Sequence, residues 1–304
     1  MIVTKLGAID IGSNSVRCLI VNVVYKDGYT HYKKVSMIRL PVRLGQDVFK
    51  YGKIRKVTRD RFLDGMKAYE HLLSVHGVQD YRAVATSAMR EAKNGRQIVN
   101  RVLRKTGIQI ETISGKEEAR LVFSSKLYDT INADVSNFIY IDVGGGSTEI
   151  SIIEGKQVLR SKSFKVGGVR LMNELVEQGE WTKMQRWLEK HAAPLKDKAA
   201  IGAGGNINKL HKLSLKPVTE ALSYEYVNGQ RTFIEGLDVE RRITEMGLNF
   251  DRADVITFGL EIYLKAMQWS GCGRIYVPKI GVSDGLIRDL YHKEFRAHIE
   301  ELVH

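Results

Sequence analysis

Two stretches of this 304-residue chain share one plan: AIDIGSNSVRCLIV at residues 8–21 and YIDVGGGSTEISII at residues 140–153. Each runs from an apolar, β-branched segment to an aspartate (Asp10, Asp142). A Gly-rich turn carrying hydroxyls follows, then a second apolar segment. The two copies lie about one domain's length apart, too far for a short-period solenoid repeat. The repeat predicts a duplicated α/β fold, each copy opening with a β-hairpin, with the two turns facing one another across a cleft.

The surrounding pattern fills in both copies. Strands are expected at 5–10, 15–25 and 31–40, a helix at 58–76 on the spacing of Phe62, Met66, Tyr69, Leu72 and Leu73, and a strand at 81–86. A helix near 96–105, a strand at 108–113 and a helix from 115 complete the first copy. The second restarts with strands at 138–142, 149–153 and about 157–165, and helices dominate from about 169. The expected domains are 1–125 and 126–304, with the C-terminal helix able to pack back on the first.

A lone Gly-rich hairpin is usually only a turn. Two in register, each beside a strand-end aspartate, point to phosphate. Glycine lets successive N–H groups converge on an anion, and serine and threonine add donors. Gly12, Ser13, Asn14 and Ser15 form the first candidate cradle, and Gly144, Gly145, Gly146 and Ser147 the second. An aspartate beside such a turn repels phosphate unless a divalent cation lies between them, and carboxylate and phosphate oxygens both suit Mg²⁺. A third glycine element, Gly204-Gly205-Asn206, follows an apolar run and opens a helical one. Neither the Rossmann fingerprint nor the Walker A pattern fits these turns.

The stretch SGKEEARL (114–121) places two glutamates at the start of a helix. Ser114 and Glu117 stand in the S-x-x-E relation of a capping box, which predicts that Ser114 accepts from the third helical N–H and Glu117 reaches back to the serine amide. Glu118 has no such duty and points about 100° away, free to face the cleft. Arg90, after the strand at 81–86, is placed either to clamp a phosphate or to sit solvated at a helix start.

Composition bounds the rest. The formal net charge of +12 is spread along the chain, as in Arg55, Lys56, Arg59 and Arg61, and admits either a polyanionic ligand or a generally basic surface. No nucleic-acid-binding signature accompanies it, so no nucleic-acid partner is expected. No apolar run reaches membrane-spanning length, and the N-terminus enters a strand with no signal peptide. Two distant cysteines, Cys18 and Cys272, suit a reduced, cytoplasmic protein, and the scattered histidines offer no metal site.

Together AIDIGSNSVR, the Arg43-Leu44-Gly45 run, ATSAMREA (85–92), ISGKEEARL (113–121), IDVGGGSTE (141–149) and GAGGNI (202–207) resemble the exopolyphosphatase/guanosine pentaphosphate phosphohydrolase family. The ordered set covers nearly the whole chain. The resemblance implies two actin-like domains of the sugar kinase–Hsp70–actin superfamily, Mg²⁺-dependent removal of a terminal phosphate (Mn²⁺ as an alternative, no organic cofactor), and a homodimer. Carried over by position, Glu118 is the catalytic carboxylate. Asp142 and Glu149 organise metal and water, Asp10 contributes directly or through water, and Arg90 clamps phosphate.

Asn206 stands where many relatives have threonine, and Gly281–Leu286 (GVSDGL) where relatives often have Arg-Glu-Gly, so a basic contact is absent there. Longer members append a helical C-terminal region. The expected reaction is exopolyphosphatase chemistry, with guanosine pentaphosphate (pppGpp) hydrolysis as the alternative. A non-catalytic polyphosphate or pppGpp sensor and a small-molecule kinase on the same fold are the other readings.

Overall fold

The computed structural model describes residues 1–123, 131, 133–155 and 157–296. The chain forms two compact units, Met1–Ser125 with Gly281–His304, and Lys126–Ile280. The hand-over expected at 125/126 falls outside the described residues.

In the first unit, β1 (Ile2–Ile11), β2 (Val16–Lys26) and β3 (Tyr29–Leu40) form an antiparallel meander. Two helices follow, α1 (Leu44–Tyr51) and α2 (Lys56–Val75), and then β4 (Asp80–Ala85) returns parallel to β1. After α3 (Ser87–Glu91) and α4 (Gly95–Thr106), β5 (Ile110–Thr112) pairs parallel with β4 and leads into α5 (Gly115–Phe123). The sheet order is β3-β2-β1-β4-β5. β1 is buried almost throughout because both its faces are covered, which its near-continuous apolar run reflects. Phe62, Met66, Tyr69 and Leu73 of α2 meet Ile9, Ile11, Cys18 and Ile20 in one core. Each such buried aliphatic or aromatic side chain contributes roughly 1.5–3 kcal/mol.

The second unit repeats the plan. β6 (Asn137–Val143), β7 (Thr148–Glu154) and β8 (Gln157–Phe164) form the meander. Two helices, α6 (Gly168–Met172) and α7 (Gln178–His191), lead to β9 (Lys198–Ala203), which runs parallel to β6. Then come α8 (Gly205–Leu213), the two-residue β10 (Leu222–Ser223), α9 (Tyr224–Glu235), α10 (Val239–Thr244), α11 (Phe250–Ala253), α12 (Ile256–Ser270) and the short β11 (Arg274–Tyr276). The order is β10-β11-β9-β6-β7-β8, the first unit's order with one strand added at the edge. Even the irregularities recur. The β2–β3 register shifts between Ile20 and Val21 and the β7–β8 register between Ile152 and Ile153, the same distance beyond Gly12 as beyond Gly144. Duplication of the α/β plan is thus visible strand by strand.

The last described helix, α13 (Val282–Glu294), belongs to the first unit and packs on β1, β2, β4 and α5. The run GVSDGL forms its start. Asp284 Oδ2 accepts from the Gly281 N–H at 3.1 Å, and Asp284 Oδ1 pairs with Lys34 at 2.6 Å. Gly285 is the point of closest approach, because a Cβ there would collide with the Leu121 carbonyl of α5.

Helices dominate beyond 169, as expected, with the strand β9 before the third glycine element and the short β10 and β11 among them. A helix the apolar spacing did not announce, α1, starts at a residue in the left-handed region, Arg43 with φ 56°. One sequence expectation changes. The capping box at Ser114 is half formed. Glu117 N–H donates to Ser114 Oγ at 3.2 Å, but the Glu117 carboxylate turns to Arg120, taking Nε and Nη2 at 2.8 Å each. A bidentate charged fork outcompetes a single bond to a neutral amide.

Candidate active site

In the first unit, β1, β4 and β5 run parallel, so the segments leaving their carboxyl ends lie side by side at one sheet edge. Those segments are the Gly12–Ser15 turn, Thr86 with α3, and Ser114 with α5. Backbone bonds lace them together: Thr86 N–H donates to Ile11 O at 3.1 Å and Ile113 N–H to Ala85 O at 3.0 Å. Arg90 is exposed on α3, and its Nη1 donates to the Ile113 carbonyl at 2.7 Å, one residue ahead of the α5 cap. Glu118, partly exposed in the first turn of α5, has its N–H on Ser114 O at 2.9 Å. The topology therefore brings the first turn, Arg90 and Glu118 to one edge.

Asp10, one residue before the end of β1, lies directly opposite Arg17, whose Nη1 stands 3.7 Å away. Burial pushes its carboxyl above the usual range, and the Arg17 charge pulls partly back.

The second unit presents the same arrangement. The Gly144–Ser147 turn leaves β6, Glu149 stands one residue into β7, and Gly204–Asn206 leaves β9. The two hairpin turns are closed alike: Gly12 N–H donates to Ser15 O at 3.1 Å and Gly144 N–H to Ser147 O at 2.9 Å. A Cβ at Gly12 would lie 3.2 Å from the Ser15 oxygen, and one at Gly144 would lie 3.1 Å from that of Ser147. Close approach, not left-handed backbone, favours glycine here, since neither turn contains a positive φ. Gly204 is the exception, at φ 117°, packed against the Val143 carbonyl and the Tyr263 hydroxyl.

Asp142 and Glu149 face each other across the β6–β7 ladder. Like charges placed so are unfavourable unless something intervenes. Hydroxyls do part of this: Ser147 and Ser163 each donate to Glu149 Oε1 at 2.8 Å, and Tyr140 donates to Asp142 Oδ2 at 3.1 Å. Ser147's hydroxyl is thus engaged with Glu149, leaving the turn's amides as its donors toward a phosphate. Two oxygen donors on one face fit Mg²⁺, which binds few protein carboxylates and keeps several waters. Among the described residues no group of three His, Cys, Asp or Glu gathers as a dedicated metal cage.

Several supporting residues carried no recognisable local signal. Arg170 is buried and its Nε donates to Gly146 O at 3.0 Å, while the N–H groups of Gly168, Val169 and Arg170 bind the carbonyls of Gly144 and Gly145. The glycine pair of KVGGVR (165–170) was the available clue. Tyr263, fully buried on α12, donates to Ala203 O and accepts from Val143 N–H at 3.4 Å, joining the roots of two loops. Burial, and then the Asp142 charge, raise its phenol well above the ordinary value. Arg252 stands over the third loop, its Nη2 3.0 Å from where a Gly205 Cβ would be. Asn206 Nδ2 packs against Gly259 of α12.

The model of the Ppx/GppA phosphatase family matches residues 23–294. The chain belongs to this family. Exopolyphosphatase 2 of Mycobacterium tuberculosis is 34% identical over 178 residues, 56% of this chain and 54% of that protein. The chain spans about half the length of the curated relatives it matches. The crystal structure of the Aquifex aeolicus Ppx/GppA member is similar over 97% of this chain and 100% of that one, with TM-score 0.75 and 26% identity. An exopolyphosphatase from Cytophaga hutchinsonii shares the fold at TM-score 0.81 and 23% identity, covering 95% of this chain and 98% of its own. For this Ppx/GppA member, no helix among the described residues is long and apolar enough to cross a membrane.

Proposed function

We propose that this Ppx/GppA member is an exopolyphosphatase that hydrolyses the terminal phosphoanhydride of inorganic polyphosphate and releases orthophosphate. The observation that carries the reading is the first unit's sheet edge, where parallel β1, β4 and β5 deliver the Gly12–Ser15 turn, Arg90 and Glu118 together. A loose, highly charged transition state needs positioning and electrostatic stabilisation more than covalent chemistry. In this reading Glu118 orients the attacking water and accepts its proton, a role worth roughly 10²–10⁴-fold. The turn amides within Ser13–Ser15 and Gly145–Ser147, which do not close the hairpins as those of Gly12 and Gly144 do, and the amides of Gly204–Asn206 receive phosphate oxygens. Arg90 adds charge from a guanidinium steadied on Ile113.

Asp142 and Glu149 would hold Mg²⁺, or Mn²⁺ in its place. Bound there, the cation would offset the charge that develops on phosphoryl oxygens. A cytoplasmic homodimer completes the reading. Cys18 and Cys272 are both free and buried, which suits a reducing compartment, and sedimentation would report the dimer.

The deciding experiment measures phosphate release from tripolyphosphate, long polyphosphate and pppGpp side by side, with Mg²⁺ and with Mn²⁺. Preference for pppGpp would transfer the assignment to the pentaphosphate reading. Glu118→Gln should lose at least about a hundredfold in turnover while still binding polyphosphate; undiminished turnover in that variant removes Glu118 from the chemistry.

A further inference from the structure

The basic run at 55–61 plays no part in the site above, yet the fold places it around a cavity beside that site. A space of about 420 Å³ in the first unit is lined by Arg43, Gln46, Asp47, Arg55, Lys56 and Arg61, among others. Its size falls in the range of small-ligand sites, roughly 300–1,000 Å³. One wall is fastened to the first turn: Arg43 N–H donates to Asn14 O at 3.0 Å, and Gly45 N–H to Ser13 O at 2.8 Å.

Arg55, Lys56 and Arg61 face this space against a single carboxylate, Asp47, and that carboxylate is committed. Buried Asp47 accepts from the Arg55 N–H at 2.9 Å and from Arg55 Nε at 2.6 Å. The Arg55 guanidinium is further fixed 4.5 Å from the Tyr51 ring centre. Among the described residues neither Lys56 nor Arg61 forms an ion pair. Like charges gathered about one concavity repel and concentrate field there, an arrangement stabilised by a bound polyanion.

We propose that this cavity is a second anion subsite, which takes phosphate groups of the substrate remote from the one being cleaved. The proposal rests on the phosphoanhydride hydrolase reading and extends it: the subsite would favour substrates with phosphates beyond the reacting end. Two sources carry that chemistry, the continuing chain of polyphosphate and the 3′-diphosphate of pppGpp.

The test combines binding and kinetics on the full chain. Side-chain Nε–Hε NMR signals of arginine are followed while long polyphosphate, tripolyphosphate and pppGpp are added separately to the Glu118→Gln protein, which removes any dependence on turnover. Shifts of the Arg55 and Arg61 signals with long polyphosphate but not tripolyphosphate support the subsite, and shifts with pppGpp identify the nucleotide as its source. In the otherwise native chain, Lys56→Ala/Arg61→Ala should raise KM for the longer substrate about tenfold, with a shallower salt dependence, and leave kcat and tripolyphosphate kinetics unchanged. Silent arginine signals with every ligand, or an equal KM rise for short and long substrates, overturn the proposal. If the wild-type chain releases no phosphate while these signals shift, the hydrolase reading fails and the anion subsite stands.

Discussion

Replacing Asp289 by asparagine tests how the helix bearing Glu118 is held. Asp289 lies on α13 with its side chain only 8% exposed. Its Oδ2 accepts from Arg82 Nη1 at 2.6 Å and pairs with Lys293 at 3.0 Å, while Oδ1 accepts from Arg120 Nη1 and Nη2 at 3.2 and 3.3 Å. Arg82 is on β4 and Arg120 on α5, so one carboxylate ties strand and helix to α13. Removing one partner from a buried charge cluster costs about 3–5 kcal/mol. Both arginines keep their own forks, to Glu111 and Glu117, and Arg120 and Lys293 are largely exposed. The expected loss at neutral pH is therefore smaller, about 2–3 kcal/mol, or a melting temperature lower by roughly 5–10 °C.

Burial works to raise the Asp289 pKa, but bonds from Lys293 and Arg120 outweigh it and hold the group below the usual carboxylate range. The contribution is then fully present above the unfolded value of about 4 and disappears as pH falls through the lower folded value. Thermal and urea melts of both proteins from pH 7.5 downward measure this directly. A variant within about 0.5 kcal/mol of wild type at pH 7.5 would refute the reasoning, as would a gap that persists unchanged at acid pH.

Gly285→Ala should separate α13 from α5, costing about 1–3 kcal/mol by overpacking and lowering turnover through displacement of the helix that carries Glu118; paired melts and phosphate-release assays read both effects. Glu117→Gln removes only a partly exposed fork to Arg120, so stability should fall by less than about 1 kcal/mol with phosphate release retained. Burial pushes the Cys18 thiol up to about 12 and raises Cys272 as well, so a thiol reagent at pH 8 should label neither in the native protein and both in urea.

The hairpin repeat was legible because everything it needs is local: alternating apolar runs, a strand-end aspartate and small turn residues within fourteen positions of each other. Topology then does the assembling, since parallel return strands bring segments near Arg90 and Glu118 to the edge already occupied by Gly12–Ser15. Less legible were features whose cause lies elsewhere in the chain. Arg82 and Asp289 meet across 207 positions, and nothing near either residue announces the other. β10 and β11, of two and three residues, are too short to show alternation. α1 begins from a left-handed arginine that propensity does not favour, held by backbone bonds to the first turn. Spacing alone places Glu117 in the cap, and the nearby Arg120 guanidinium redirects its carboxylate.

Because α13 completes the first unit, a ribosome must synthesise the entire second unit before the first can close. Until Gly281 and the residues after it emerge, β1, β4 and α5 lack the helix that covers them, and Arg82 and Arg120 lack Asp289. Nascent chains should therefore hold an incompletely folded first unit and a loosely seated Glu118 helix while the second unit already matures. Stalled chains ending shortly before 281 should remain protease-sensitive within 1–123, and stalled chains extended past α13 should not. The order of synthesis would then delay assembly of the edge that carries Arg90 and Glu118 until α13 has docked.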